Sequence, residues 1–464
     1  MEPVSKRPGI QQIKSEEKRK KVCEALESLL FTDSDVNQMM QVFEEQIDYA
    51  NSMNEDDRKK SDLFWECTYV SGLVKGNENG RYLGLDLGST NFRVVLVDLK
   101  NGIAETTTKY YNLTDDQLSG PAELVFDHIA TSMETFINEE KITSQHPISV
   151  GFTFSFPTIQ KTLKHSVLVT WTKRFKCTNG PGLDPCVMLE EAIARRGGLS
   201  VPVNVMARIS DTTGTLMAGS YFDKKCAIGL ILGSGSNACY VEHLKNFKKL
   251  DRSEAKSDKI LVNCEWGAFG DNGCLDFCRN EFEREVDQYS NFPGSYTFEK
   301  SFGGFYLGEM FRLVLVKLTK TGLLFDGKGS EELMTRWLWK SRHVTTVERD
   351  SHGTSVHTMS VLKEMNLDTM TSDEDVLLVQ EACYLMSQRA AYIVATALAV
   401  LLNHINEEEV SIGIDGSLYE HHPRFHDHMT SLLQKLVPTT KFRLFLVKDG
   451  SGQGAAFVAA VESS

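Results

Sequence analysis

Four short turns rich in glycine and serine carry the residue types that could hold a phosphate group. They lie at Gly88–Asn91, Gly233–Ser236, Asp415–Ser417 and Asp449–Gly452, and each follows an apolar run typical of a strand. Such turns expose consecutive backbone N–H groups with no Cβ in the way, and this arrangement suits a phosphate. None of them matches the P-loop pattern. The four turns together predict a phosphate site that is not of the P-loop type.

Asp211 is the carboxylate best placed by sequence to act as a general base. It lies in Ile209-Ser-Asp-Thr-Thr-Gly-Thr215, after a predicted strand and where a helix could begin. An aspartate in this position often caps a helix, and the local sequence favours that interpretation. The alternative is a base that deprotonates a hydroxyl nucleophile.

Two further loops combine hydroxyl, amide and charged groups with aromatic rings. Trp171-Thr-Lys-Arg-Phe175 follows the apolar segment Gly151–Pro157, and Glu265-Trp-Gly-Ala-Phe-Gly-Asp-Asn-Gly273 precedes a helical region. Sugars are bound by hydrogen bonds from such groups. Each loop taken alone could equally be an ordinary loop that binds no sugar.

The elements that must position these residues form two similar units. Arg81–Asp98 and Cys226–Val241 each predict a β-hairpin whose apolar strands flank a turn of small polar residues. This repetition suggests an internal duplication in which each hairpin opens a mixed α/β lobe. Further elements are predicted as helices at 16–30, 34–50 and 185–196, strands at 148–156 and 201–209, and mainly helices from 265 to 411. The sequence therefore indicates two α/β lobes with a cleft between them.

Composition narrows the class of protein. The chain has 464 residues, 41% of them hydrophobic, and a formal net charge of −13, which disfavours a nucleic-acid partner. The N-terminal region lacks the pattern of a signal peptide, and the apolar run Ala390–Leu402 is shorter than a membrane span, so we expect a buried helix and a cytoplasmic protein. Ten cysteines then fit a reducing compartment. The histidines of His421–His428 could be read as metal ligands, but their spacing is poor and we expect no metal site.

Taken together, the motifs resemble the hexokinase family over about residues 17 to 460. The strings that carry the resemblance are Leu85-Asp-Leu-Gly-Ser-Thr-Asn-Phe-Arg93, Gly151-Phe-Thr-Phe-Ser-Phe-Pro157, Trp171-Thr-Lys173, Asp211-Thr212, Gly235-Ser-Asn-Ala-Cys-Tyr240, Glu265-Trp-Gly-Ala-Phe-Gly270, Tyr306-Leu-Gly-Glu309 and Asp449-Gly-Ser-Gly452. The length is similar to that of single-unit animal hexokinases of the glucokinase size. The resemblance implies a two-lobed actin-like (ribonuclease H-like) α/β fold, with mixed sheets flanked by helices and a central cleft. It divides the chain into N-terminal helices on the large lobe (1–77), a small lobe (78–210), a large lobe (211–446) and a segment returning to the small lobe (447–464).

The resemblance also implies an activity and its residues. The activity is ATP-dependent phosphorylation of a hexose, most of all D-glucose, at the 6-hydroxyl, with Mg²⁺ carried by ATP and no dedicated protein metal site. Asp211 becomes the catalytic base and Lys173 its cationic partner. The implied sugar-binding residues are Ser155, Phe156, Thr172, Lys173, Ser210, Asp211, Asn237, Glu265 and Glu299. The implied nucleotide-binding residues are Asp86, Gly88, Ser89, Thr90, Asn91, Arg93, Gly233, Ser234, Gly235, Thr335, Asp415, Gly416, Ser417, Asp449, Gly450, Ser451 and Gly452. The expected partners are the sugar and ATP, and the expected state is a monomer.

Four positions depart from the family's usual pattern. Ser89 stands for a glycine, Ser210 for an asparagine that contacts sugar, Arg174 for a glycine and Gln453 for a basic residue. Uncompensated, these changes would weaken turnover without removing the base or the lysine. A working but weakened hexokinase is therefore the leading hypothesis, and a sugar-binding regulatory pseudo-kinase is the alternative.

Overall fold

The computed structural model describes residues 1–88, 91–172, 174–250, 257–351 and 353–464. Its strands are β1 Glu66–Cys67, β2 Gly80–Leu87, β3 Asn91–Lys100, β4 Ile103–Asn112, β5 Ile148–Phe154, β6 Thr158–Gln160, β7 Ser166–Leu168, β8 Val203–Ile209, β9 Cys226–Leu232, β10 Ser236–His243, β11 Lys259–Asn263, β12 Glu409–Asp415 and β13 Lys441–Leu446. Its α-helices are α1 Pro8–Gln11, α2 Glu16–Leu26, α3 Asp33–Ala50, α4 Glu55–Arg58, α5 Asp115–Ser119, α6 Ala122–Glu139, α7 Pro185–Arg195, α8 Asp211–Phe222, α9 Glu281–Gln288, α10 Thr297–Lys300, α11 Gly304–Lys320, α12 Glu331–Met334, α13 Ser341–Val347, α14 Val356–Glu364, α15 Asp373–Ile405, α16 Ser417–His421, α17 Phe425–Leu436 and α18 Gly450–Glu462.

The two main sheets repeat the same strand order, which confirms the predicted duplication. One sheet runs β4-β3-β2-β5-β8, and the other runs β11-β10-β9-β12-β13 with β1 added outside β11. Each begins with an antiparallel hairpin, β2 with β3 or β9 with β10, and continues with parallel strands. Each is therefore a mixed sheet. The predicted strands at 148–156 and 201–209 are each two residues longer than β5 and β8. Of the four turns predicted to hold phosphate, the first comes between β2 and β3, and the second comes between β9 and β10.

Helices α8 and α18 occupy corresponding places after the last strand of each repeat, and they pack against each other. Helix α8 lies on β9, β10 and β12, whereas α18 lies on β2, β3 and β5. Backbones meet here without side chains between them, since a Cβ on Gly454 would lie 1.9 Å from the carbonyl oxygen of Gly214. Glycine is required for such an approach. This exchange of helices supports, as a proposal, the division of the chain at 210/211 and 446/447.

The N-terminal helices pack on the second lobe. Helices α1 and α3 contact α15, and α2 contacts α11, within a single apolar core. Helix α15 extends beyond the apolar run Ala390–Leu402 at both ends, and the buried helix predicted for that run is confirmed. By length and composition alone α15 could cross a membrane, but its most apolar stretch is entirely buried inside the protein.

Candidate active site

Asp211 is the first residue of α8, and its neighbour Ser210 caps that helix. The Ser210 hydroxyl accepts a hydrogen bond from the backbone N–H of Thr213 at 3.3 Å. The hypothesis that Asp211 is the cap is therefore wrong by one residue, because the chain turns into the helix at Ser210. The Asp211 carboxylate instead accepts from the Thr212 N–H at 2.9 Å and remains partly exposed. It lies at the positive end of the α8 dipole.

A network of amide and carboxylate groups joins the start of α8 to the end of β11. The Asn237 side-chain amide donates to Asn263 at 2.8 Å and to Glu265 at 3.1 Å, and the Asn263 amide donates to the same Glu265 oxygen at 2.7 Å. The Thr212 hydroxyl donates to Asn263 at 3.2 Å. Glu265 has a left-handed backbone with φ of 48°, which is uncommon outside glycine and often marks a functional position. Asn263 was not predicted from the sequence, because an asparagine at a strand end is an ordinary feature.

Glu299 comes from a distant helix but lies against the second phosphate turn. Its carboxylate accepts from the Ser236 N–H at 2.9 Å. A Cβ on Gly235 would lie 2.3 Å from the same carboxylate, so a larger residue there would displace the Glu299 side chain from this position. The structure thus brings the predicted sugar residues Asn237, Glu265 and Glu299 to one end of the second hairpin.

The first lobe contributes an aromatic cluster beside the two loops that contain the predicted sugar residues Ser155 and Thr172. Phe156 packs edge-on against Trp171, with ring centroids 5.0 Å apart, and against Phe175 at 4.8 Å. Ser155 is partly buried, and the Thr172 carbonyl accepts from the Phe175 N–H at 3.2 Å. These contacts hold the loops of Ser155 and Thr172 together at the edge of this lobe.

The first and fourth phosphate turns are linked by buried charges. Asp86 and Arg93 are opposite each other on β2 and β3, and the Arg93 guanidinium pairs with Asp86 at 2.6 Å. Arg93 also pairs with Asp449 and donates to Ser451, whose hydroxyl donates to Asp86 at 2.6 Å. The third turn joins them, since the Gly450 N–H donates to Asp415 at 3.0 Å. Burial raises the pKa of Asp415 to about 6, while Arg93 opposes that shift.

The second and third turns also meet, because glycine lets their backbones approach closely. Gly416 has φ of 125°, and a Cβ there would lie 2.4 Å from the carbonyl of Leu232. The first residues of α11 cover the second turn, because the Gly304 N–H donates to Gly233 and the Phe305 N–H to Ser234. These glycine-lined backbones fit a nucleotide phosphate. The exposed ring of Phe305 beside the turn was not identified from sequence, since phenylalanine usually indicates core.

Several predicted residues are not brought into these contacts. Thr335 is exposed at the end of α12, where its hydroxyl donates to Glu331. Gly88 follows β2 and Ser417 begins α16, whereas Gly452 lies against Val95 and Arg93 of β3. Ser89, Thr90 and Lys173 lie outside the described residues, and Asn91 is described only as the first residue of β3.

The structure describes no cluster of three or more His, Cys, Asp or Glu side chains that could hold a metal ion. Of the histidines considered as ligands, His426 bonds Tyr419 at 2.6 Å and His422 bonds Ser387 at 3.1 Å. Burial lowers the pKa of His422 to about 3 and that of His428 to about 4. These side chains serve packing at the base of α17.

Comparison with known proteins gives a consistent result over nearly the whole chain. Two family models described as hexokinase match residues 21–221 and 227–461. Hexokinase-1 of Homo sapiens is 36% identical over 451 residues, covering 95% of this chain and 48% of the relative, and hexokinase-2 of Rattus norvegicus is 39% identical over 403 residues, covering 85% and 43%. The chain thus spans about half the length of these curated relatives. A solved structure of hexokinase from Schistosoma mansoni complexed with glucose matches with a TM-score of 0.86 and 34% identity, covering 96% of this chain and 99% of that one. The chain belongs to the hexokinase family.

Proposed function

We propose that this protein transfers the γ-phosphoryl group of ATP to the 6-hydroxyl of a hexose, with D-glucose as the leading substrate. One observation carries the proposal. The first turn of α8 touches both halves of the site, because Thr212 bonds the amide network while Gly214 lies against Ser451 of the fourth phosphate turn. Asp211 begins that turn of helix. Its carboxylate is therefore positioned between a sugar-type site and a phosphate-type site.

The residues support a direct transfer. Asp211 takes the proton of the 6-hydroxyl as that oxygen forms a bond to the γ-phosphorus, and the bond from the γ-phosphorus to the bridging oxygen of ADP breaks. Asn237, Glu265 and Glu299 offer hydrogen bonds to the other sugar hydroxyls. Lys173 enters the proposal through the family resemblance as a cation near the transferred group.

The nucleotide is proposed to lie across the four turns. Its phosphates would lie against the glycine-lined backbone of these turns, and the carboxylates of Asp86 and Asp415 would be available to hold the Mg²⁺ that accompanies ATP. When bound, Mg²⁺ neutralises phosphate charge and orients the transferred group. A cytoplasmic location and a monomeric state are also proposed. No observation favours the pseudo-kinase alternative over the enzyme.

The test is a coupled assay with ATP and glucose on the wild type and on Asp211→Asn. Asparagine keeps the size of the side chain, and Ser210 still caps α8, so the variant should fold. Turnover should fall at least roughly 100-fold, whereas glucose should still quench or enhance tryptophan fluorescence and raise Tm. Near-normal turnover in the folded variant would exclude Asp211 as the base. Wild-type protein that binds glucose without turnover would instead be a pseudo-kinase.

A further inference from the structure

Arg208 is a buried cation that the proposed reaction does not yet use. It lies on β8, three residues before Asp211, and is only 7% exposed. Burial lowers the pKa of Arg208, although nearby carboxylates oppose this shift. A buried charge is costly unless it is paired and hydrogen-bonded. The hydrogen-bond acceptors and nearby carboxylates of Arg208 therefore indicate its role.

The guanidinium of Arg208 holds the loop that contains the predicted sugar residue Ser155. One terminal nitrogen donates to the carbonyl of Phe154 at 3.0 Å and to that of Phe156 at 3.3 Å, on either side of Ser155. The other terminal nitrogen donates to the side chain of Gln160 at 2.8 Å. Hydrogen bonds from a charged donor are stronger than neutral ones and fix the geometry of their acceptors.

Gln160 closes this arrangement back onto β8. Its side-chain amide donates to the carbonyls of Thr162, at 2.6 Å, and of Arg208 itself, at 3.3 Å. The Arg208 N–H in turn donates to the carbonyl of Leu163 at 2.9 Å. The Arg208 and Gln160 side chains thus extend the pairing of β5 with β8 into the loop that follows β5 and contains Ser155.

The charge of Arg208 also acts across the two lobes. The carboxylates of Glu265, Glu66 and Asp211 all interact with it electrostatically. Glu66 is on β1, paired with Asn263 of β11 in the second sheet. Burial and the neighbouring Glu265 raise the pKa of Glu66 to about 7, while Arg208 lowers it.

A small cavity lies where these groups meet. Its volume is about 10 Å³, and Glu66, Arg208, Ser210 and Asn263 are among its lining residues. The Nε atom of Arg208 is buried without a hydrogen-bond partner among the described residues. A polar cavity of this size suits a single water molecule, which would complete the hydrogen bonding of Arg208.

We propose that Arg208 is a positioning residue of the sugar site, which fixes the Phe154–Gln160 loop of the first lobe through its guanidinium hydrogen bonds. The inference rests on the proposed function, but its first consequence is sugar affinity and not turnover. Hydrogen bonds to the loop carbonyls determine where Ser155 lies.

The test compares Arg208→Met, Arg208→Lys and Gln160→Leu by glucose titration of tryptophan fluorescence and by steady-state kinetics. Arg208→Met should raise the Kd and KM for glucose at least roughly tenfold and leave the KM for ATP within about twofold. Arg208→Lys should recover only part of the glucose affinity, because an ammonium cannot reproduce the forked hydrogen bonds of the guanidinium. Gln160→Leu should weaken glucose binding less than Arg208→Met.

Arg389→Met is the matched control. Arg389 is also buried and paired, with Glu283 at 2.7 Å, but it belongs to the core of the large lobe. This variant should lose stability without any change in the Kd for glucose. If Arg208→Met does not fold, Arg208→Lys and Gln160→Leu still decide the matter. A Kd for glucose within twofold of wild type in the folded Arg208 variants would overturn the inference. Weaker glucose binding in Arg208→Lys, in a protein that shows no turnover at all, would support the inference while the proposed catalysis failed.

Discussion

Ser210 uses its hydroxyl to hold the helix that carries the proposed base. It accepts from the Thr213 N–H and also bonds the hydroxyls of Thr212 and Thr213, each at 2.9 Å. In this arrangement the side chain is committed to the helix. Ser210 also lines the small cavity beside Arg208.

The first prediction concerns Ser210→Asn. Asparagine caps helices as well as serine does, so Tm should change little, and its amide adds a group that can reach a sugar hydroxyl. The KM for glucose should fall about two- to tenfold, and the KM for ATP should stay unchanged. Ser210→Ala is the control, because it should lower stability by about 1 kcal/mol through loss of the cap. An unchanged KM for glucose in Ser210→Asn would mean that the position does not face the sugar.

At the scale of elements, the crossing of α8 and α18 determines how the two lobes meet. Each helix belongs by sequence to one repeat and packs on the sheet of the other. Gly214 and Gly454 let the two backbones touch, and Gly84 and Gly151 do the same for α18 against β2 and β5. The proposed base and the fourth phosphate turn are held in register by this crossing.

Gly454→Ala should therefore lower the free energy of unfolding more than an alanine substitution at a partly exposed position of the same helix. The new Cβ would lie 1.9 Å from the Gly214 oxygen, and overpacking of this kind costs about 1–3 kcal/mol or more. The gain in helix propensity, about 1 kcal/mol, is too small to offset it. Urea unfolding should show the loss, and turnover should fall with it. Gln453→Ala, on the same helix but partly exposed, should change stability by less than about 0.5 kcal/mol. Wild-type stability in Gly454→Ala would show that the crossing can relax.

At the scale of the whole molecule, His404 attaches the N-terminal helices to the second lobe. Its two ring nitrogens face Glu44 of α3 at 2.8 Å and Glu242 of β10 at 3.0 Å. Both nitrogens must donate, so the imidazole is protonated. Hydrogen bonds and charge from the two glutamates outweigh burial and raise the pKa of His404 to about 9.

This pair of contacts predicts a pH dependence of stability. The pKa of His404 in the folded protein lies above its value of about 6.5 in the unfolded chain. Its contribution to stability is therefore complete below about pH 6.5 and is lost as the pH rises through about 9. We expect protonated His404 to add about 2 kcal/mol to the free energy of unfolding, a value reduced because Glu44 is partly exposed and its interaction is screened. Chemical unfolding at pH 6 and pH 9.5 measures the difference. His404→Gln should lower stability at pH 6 and reduce the loss between the two pH values. An equal pH dependence in wild type and His404→Gln would contradict the assignment.

The sequence by itself determined the parts of the molecule that depend on near neighbours. The alternation of apolar residues around Gly-Ser turns predicted both hairpins and their duplication, because strand and turn preferences act over a few residues. The long family strings predicted Asn237 and Glu265, which the structure joins in one hydrogen-bond network with Thr212 of α8. A local pattern could not tell the cap from the base, because that distinction depends on where the chain bends at Ser210.

Only the tertiary structure decided which distant groups share a site. Asn263 and Arg208 were not singled out from the sequence, and each contacts a predicted site residue or its loop through a partner far along the chain. The family resemblance predicted Glu299, but only the structure shows that it lies against the second turn. The approach of Gly214 to Gly454 likewise requires both helices to be in place. These contacts depend on how two folded repeats pack against each other, so their positions follow from shape and burial across the lobes and not from the residues beside them in sequence.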